Sequence, residues 1–278
     1  MIPAYRPNTM KICFAALIVI VISAPLAAQW PDFRTPGIPR LANGKPDLSA
    51  PAPRTADGKP DLSGIWRNPP APCSLEDVGS CRDFTGGVEF GNIAAHLNSE
   101  LPYQPWAAEL VKKRSEGIGK DDPVALCQPA GLMRLHTYPP LRKIVQNPQL
   151  IIILSERDVT FRQVFTDGRP LAKDPNPSFN GYSVGHWEGD TLIVETTGFR
   201  DGIWIDRKGN PLTEAGKMTE RFRRLNLGNL EIEITIDDPK AYTRPWTVKL
   251  RQILVADTDL LEYYCQENEK DTPHMIGK

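Results

Sequence analysis

Leu230-Glu231-Ile232-Glu233-Ile234-Thr235-Ile236-Asp237 decides the fold. Aliphatic residues fall on every second position and polar residues between them, the period of a strand with one dry and one wet face. A helix would need its apolar positions three and four apart. Outward from this stretch, residues 142–146, 150–156, 159–166, 182–187, 191–199, 220–225, 246–255 and 261–266 read as further strands. Turn formers punctuate them: Asn147-Pro148, Asp167-Gly168, Glu188-Gly189-Asp190, Leu227-Gly228-Asn229, Asp237-Asp238-Pro239 and Asp257-Thr258-Asp259. Such short turns join neighbours antiparallel. The expectation is an all-β fold: an antiparallel up-and-down β-barrel or a strongly twisted meander, with a short helix and an irregular N-terminal segment. A sandwich would read alike.

The helix is placed by Pro105 in a first turn, Trp106 and Leu110 one turn apart, the cationic end Lys112-Lys113-Arg114 and a stop at Gly117. Before it, residues 29–62 form a proline-rich stretch without apolar periodicity, read as a linker. Within this linker Ala42-Asn43-Gly44-Lys45-Pro46-Asp47-Leu48-Ser49 recurs as Ala56-Asp57-Gly58-Lys59-Pro60-Asp61-Leu62-Ser63. Only the second copy runs on into Gly64-Ile65-Trp66, so the first is expected to have no structural role. Residues 63–278 then make a single β domain, partly helical and irregular over 63–141.

Residues 1–28 carry the features of a signal peptide: Lys11, an apolar run over 12–22, and Ala24-Pro25-Leu26-Ala27-Ala28 for cleavage. The run is too short to span a bilayer, so no integral membrane segment is expected after cleavage. Cys13 lies inside the run rather than at the cut, which argues against lipid attachment. A periplasmic or secreted location is implied. A net charge of −1 over 278 residues leaves no basic footprint for nucleic acid.

In an oxidising compartment the four remaining cysteines permit two bridges in any of three connectivities, of which Cys73–Cys81, a short loop, with Cys127–Cys265 is favoured. No Cys-x-x-Cys, His-x-His or His-x-x-x-His spacing offers a metal centre, and no cofactor is expected.

Gly64-Ile65-Trp66 at the start of such a strand series resembles the opening of the calycin group, the lipocalin and fatty-acid-binding barrels. That resemblance implies a Gly-x-Trp plug at one barrel end and an interior for small apolar ligands. Longer strings carry a second resemblance: Asp57-Gly58-Lys59-Pro60-Asp61-Leu62-Ser63-Gly64-Ile65-Trp66, Gly185-His186-Trp187-Glu188-Gly189-Asp190-Thr191-Leu192, Thr219-Glu220-Arg221-Phe222 and Tyr242-Thr243-Arg244-Pro245-Trp246. They resemble a large family of exported proteins from soil bacteria, which implies export and architecture but carries no activity with it.

Gly181-Tyr182-Ser183-Val184-Gly185 matches the Gly-x-Ser-x-Gly pattern of a serine-hydrolase elbow. That device needs a helix after the serine, and here a strand, a tight turn and another strand follow. Alternate glycines more often mark close packing in a strand. His186 faces away from Ser183 if alternation holds, and His136 lies in a turn-rich segment; a lone histidine is more often structural than catalytic.

Polar residues on apolar strand faces are stronger candidates, because burial costs energy unless they find a partner. Gln163 stands between Phe161 and Phe165, Gln252 between Leu250 and Leu254, and Glu267 follows Leu261, Tyr263 and Cys265 at alternate positions. Glu195 shares a side with Ile193 and Phe199, and Arg162 or Arg223 could pair with it inside. An internal ion pair of this kind is more often structural than catalytic. Trp204 and Phe179 border the long loops and are placed at a cavity mouth. Gln163, Gln252, Glu267, Arg223, Trp204 and Phe179 would contact a small, apolar or amphipathic molecule. A cofactor-free enzyme would use Glu195 or His186 as acid or base and Arg162 to stabilise charge. The alternatives are an envelope interaction protein with a side-chain-filled barrel and a serine hydrolase built on Ser183.

Overall fold

The computed structural model describes residues 33–69, 88–117 and 119–265. The expected signal peptide, Cys73, Cys81 and Glu267 lie outside the described residues. In chain order the strands are β1 (Gly64–Arg67), β2 (Arg142–Gln146), β3 (Leu150–Ser155), β4 (Thr160–Phe165), β5 (Tyr182–Glu188), β6 (Thr191–Thr197), β7 (Ile203–Trp204), β8 (Pro211–Leu212), β9 (Lys217–Asn226), β10 (Asn229–Asp237) and β11 (Trp246–Leu254). Three helices accompany them: α1 (Val88–Gly91), α2 (Pro105–Glu116) and α3 (Leu132–Thr137). No described helix is long and apolar enough to cross a membrane.

Nine strands close a barrel in the order β1-β11-β10-β9-β6-β5-β4-β3-β2, while β7 and β8 form a separate ribbon. A ring of nine strands cannot alternate direction all the way round, so one neighbouring pair must run parallel. That pair is β4 and β5, in register at Val164↔Ser183 and Phe165↔Val184. The proline-rich connection over residues 166–181 returns the chain to the starting end of β4, so the barrel departs from strict up-and-down order at this one joint.

Inside, Leu230, Ile232, Ile234 and Ile236 of β10 are buried, as their alternation requires. They meet Met218 and Phe222 of β9 and Val248 and Leu250 of β11 in the core. Residues 261–266 were expected to add a strand, and 261–265 are not one. Their alternation is real, but β1 pairs with β11 and closes the ring, leaving no barrel edge for another strand to join.

One barrel end is plugged by Trp66. Its indole N–H donates to Leu62 O (3.0 Å), and the Arg224 guanidinium lies 4.9 Å from the ring centre. Arg224 also donates to the carbonyls of Asp61, Ser63 and Leu227. The stretch read as a linker builds this plug. From Thr35 onward the described residues belong to one compact unit.

Both copies of the duplicated segment fold alike, and the first has a structural role after all. Arg40 and Arg54 each donate Nη1 to a glycine carbonyl within their own turn, Gly44 O and Gly58 O. Each also forks a carboxylate far along the chain: Arg40 holds Asp257, and Arg54 holds Asp190 in the β5–β6 turn. Gly44 and Gly58 sit at φ of 80° and 78°, which glycine adopts without strain. The first copy continues into Leu48 and Ala50, whose carbonyls accept from the Gly228 and Leu227 amides at the β9–β10 turn.

The other barrel end receives α3. It leads into the start of β2, which pairs with the end of β1 at Trp66↔Arg142, whereas the Trp66 indole reaches back to Leu62 ahead of the start of β1. All six of its residues are buried, including Arg134 and His136.

Candidate functional site

Two regions concentrate polar chemistry, one inside the barrel and one outside it. The inner region centres on Glu220, fully buried on β9 between Met218 and Phe222. Arg162 of β4 forks its carboxylate through Nη1 and Nη2. The same guanidinium donates Nε to Ser183 Oγ (3.0 Å) and Nη2 to Thr196 Oγ1 (2.9 Å), so four of the five N–H bonds of Arg162 are engaged. His136 bonds Glu220 Oε1 through Nε2 at 2.7 Å, while its Nδ1 lies 2.7 Å from Arg142 Nη1. A guanidinium can only donate, so Nδ1 accepts and Nε2 carries the proton given to Glu220. Arg142 further donates to Gln252 Oε1, and Gln252 Nε2 donates to Asn68 Oδ1 and His136 O.

Burial disfavours the imidazolium more than the Glu220 bond favours it, which pulls His136 down to about 4. Burial alone would raise Glu220, but the Arg162 charge and the bonds from Arg162 and His136 outweigh it and hold the carboxyl at about 2. At neutral pH the cluster therefore contains two guanidinium cations, one carboxylate and a neutral imidazole. The void beside it measures about 10 Å³, the space of a single water. An interior chamber for an apolar ligand was expected; side chains fill this part of the barrel.

The sequence-derived residues distribute unevenly. Arg162 and Gln252 face inward and join the network. Gln163, Glu195, His186 and Arg223 are exposed on the outer face. On β4 the inward positions are Arg162 and Val164, so Phe161 and Gln163 face out, with Phe161 60% exposed. Taking aromatic flanks as the sign of an inward face therefore put Gln163 on the wrong side. Glu195 pairs in register with Thr219 beside inward-facing Glu220, and the one-residue offset places it outside. Glu195 and His186 thus lie across the sheet from Arg162, and the three do not form one site. His186 lies near Glu188 at 3.5 Å on the surface. Trp204 is buried in the ribbon, and Phe179 is half-buried against the core.

Ser183 lies within β5, which continues to Glu188 before the turn into β6. No helix follows it, and its hydroxyl is buried between Arg162 and Thr196. Gly181 and Gly185 serve close packing: a side chain at Gly181 would meet Thr196 Cγ2 at 2.6 Å, and one at Gly185 would meet Val164 Cγ1 at 3.0 Å.

The outer region is a cleft of about 890 Å³ walled by α1, α2, α3, the β7–β8 turn and the segment before Cys265. Two buried arginines make its floor. Arg134 of α3 forks Asp122 at 2.7 Å through both terminal nitrogens, while its Nε has no hydrogen-bond partner among the described residues. Arg157 lies 2.9 Å from Asp158 Oδ1, donates to the Tyr263 hydroxyl at 3.0 Å, and is 5.1 Å from the ring centres of both Tyr138 and Tyr263. The Cys127–Cys265 disulfide, expected from the sequence, anchors this tyrosine-bearing segment.

Three more cations surround the opening. Arg114 of α2 stacks 4.4 Å from the Trp204 ring centre and donates to Gly209 O. Partial burial pulls it down to about 10, with carboxylates only at a distance to offset the desolvation. Arg207 and Lys208 extend from the β7–β8 turn. Asp206 positions that turn by accepting from the amides of Ile93, Gly209 and Asn210 and from Asn210 Nδ2. Burial raises the Asp206 carboxyl, against the pull of those bonds. The Arg207 and Lys208 amides in turn donate to Phe90 O and Gly91 O of α1.

Sequence reasoning missed Glu220, although it stands between two apolar residues at alternate positions, the pattern that singled out Gln252. It also missed the cleft cations. Their assembly from α2, α3, the segment at Arg157 and the β7–β8 turn has no local signature. No protein-family model matches the sequence, and no curated protein matches it.

Proposed function

We propose that this is an exported binding protein whose barrel is a filled, rigid scaffold and whose ligand site is the outer cleft. The observation that carries this reading is the contrast in space, about 890 Å³ in the cleft against about 10 Å³ beside the interior network. The cleft lies in the size range of sites for small organic molecules, which join apolar surface to a few placed polar groups. Phe90, Tyr138 and Tyr263 supply flat apolar faces, and Arg157 supplies a buried fork between two of them. The ligand is therefore amphipathic, and binding needs no cofactor. Because a ligand that binds only the folded protein stabilises it, a thermal-shift screen with amphipathic aromatic compounds tests the reading. Hits should lose their shift in Tyr138→Ala and keep it in Gln163→Leu on the outer barrel face. Hits indifferent to Tyr138→Ala would move the site elsewhere.

A second reading, an envelope interaction protein, is favoured by one observation. Val159, Phe161 and Leu261 leave 48%, 60% and 44% of their surfaces exposed around a shallow groove of about 230 Å³. A photo-crosslinker at residue 161 that yields one discrete adduct in the envelope, with no ligand found for the cleft, would put this reading first.

A further inference from the structure

We infer that the cleft selects an anion, and specifically an aromatic carboxylate; this rests on the cleft being the ligand site. Of its five cations, two are already neutralised, Arg134 by Asp122 and Arg157 by Asp158. The other three, Arg114, Arg207 and Lys208, have no carboxylate within 4.0 Å among the described residues. Three cations around one concavity without a carboxylate partner among the described residues repel one another, and an anion placed among them relieves that repulsion.

The geometry of the floor adds a second, independent reason. Arg157 is 3% exposed, yet among the described residues its Nη2 meets only the Cys265 sulfur, a weak acceptor 3.9 Å away. Arg134 is 2% exposed and leaves Nε without an acceptor among the described residues. Buried guanidinium groups normally find acceptors for nearly all their N–H bonds, because an unmet donor retains its desolvation cost. A carboxylate entering the cleft offers two acceptor oxygens in the planar arrangement that guanidinium recognises. The Tyr138 and Tyr263 rings flank the same arginine, so a planar ring attached to that carboxylate meets flat aromatic surface. Arg207 and Lys208 stand at the opening, where exposed charge accelerates capture of an anion.

The test is isothermal titration of the full-length, disulfide-bonded protein with 2-naphthoate, 2-naphthamide and inorganic phosphate. The acid and the amide share a ring and differ in charge. The expected result is naphthoate binding at least about tenfold tighter than naphthamide, weakening as salt is raised. Arg207→Ala combined with Lys208→Ala should reduce naphthoate affinity several-fold and leave naphthamide unchanged. Both side chains project from a turn held by backbone bonds, so this variant keeps the fold. Equal affinity for acid and amide would overturn the anion assignment and leave the cleft as a binding site. Phosphate displacing naphthoate at comparable concentration would overturn the aromatic part. Failure of all three probes at millimolar concentration would overturn both the anion assignment and the cleft reading.

Discussion

The barrel interior and the outer cleft both gather arginines, but they treat them differently. Inside, Arg162 spends its N–H groups on Glu220, Ser183 and Thr196, and Arg142 is held by His136 and Gln252. In the cleft, Arg157 offers Nη2 to a sulfur, and Arg114, Arg207 and Lys208 have no carboxylate partner among the described residues. A polar cluster whose members satisfy one another holds a fold together; one whose members still require acceptors is arranged for something that arrives from outside. Burial alone does not separate the two cases, since Arg157 and Arg162 are both nearly inaccessible.

The strongest attempt to break this contrast is Glu220→Ala. It would leave Arg162 charged and unpaired in the barrel, so a loss of about 3–5 kcal/mol in urea unfolding is expected. A loss below about 1 kcal/mol, no more than one ordinary hydrogen bond, would show that the network is not what holds these strands together. Next comes the disulfide, which closes a loop across 138 positions and anchors the Tyr263 wall. Cys127→Ser with Cys265→Ser should cost about 2–5 kcal/mol. It should also weaken any cleft ligand, whereas Glu220→Ala at a temperature where it remains folded should not.

Acid should act on the interior before the cleft. In the unfolded chain His136 binds a proton near its ordinary value of 6.5, but in the fold only near 4. Between those values the unfolded state holds more protons, so stability falls as pH drops from about 6.5 towards 4. Glu220 then adds to the loss from its ordinary value of 4.5 down to about 2, because its depressed folded pKa favours folding only while it is ionised. His136→Gln should flatten the upper part of this slope. An unchanged slope between pH 6.5 and 4 in that variant would remove His136 as its source. The smallest effect belongs to Arg54→Ala, whose ion pair with Asp190 is solvent-exposed. Solvent and salt screen such pairs, so its stability should stay within the scatter of surface substitutions.

The alternation at Leu230–Asp237 was enough to place β10, because a strand's two faces are local in the sequence. The same holds for the turn formers that separate β2, β3, β5, β6, β9 and β11, and for α2, whose proline start and glycine stop stand at its ends. Alternation gives two faces but does not label them. Gln252 was placed inside correctly because Leu250 and Leu254 are core residues, and Gln163 incorrectly because Phe161 is on the surface. The duplicated turns show a different limit. Their sequence repeat was visible, but Arg40 and Arg54 acquire a role only through Asp257 and Asp190, which lie far along the chain.

What the sequence determined by itself was therefore the period of each element and the punctuation between elements. These are short-range properties; the Cys127–Cys265 bridge was one of three connectivities the sequence allowed, and the fold selected it. The tertiary structure alone decided that nine strands close with one parallel joint, that Glu220 is the carboxylate inside, and that five cations meet around an outer cleft. Ring closure, strand face and charge clustering depend on which distant segments become neighbours, and only the folded chain sets those distances.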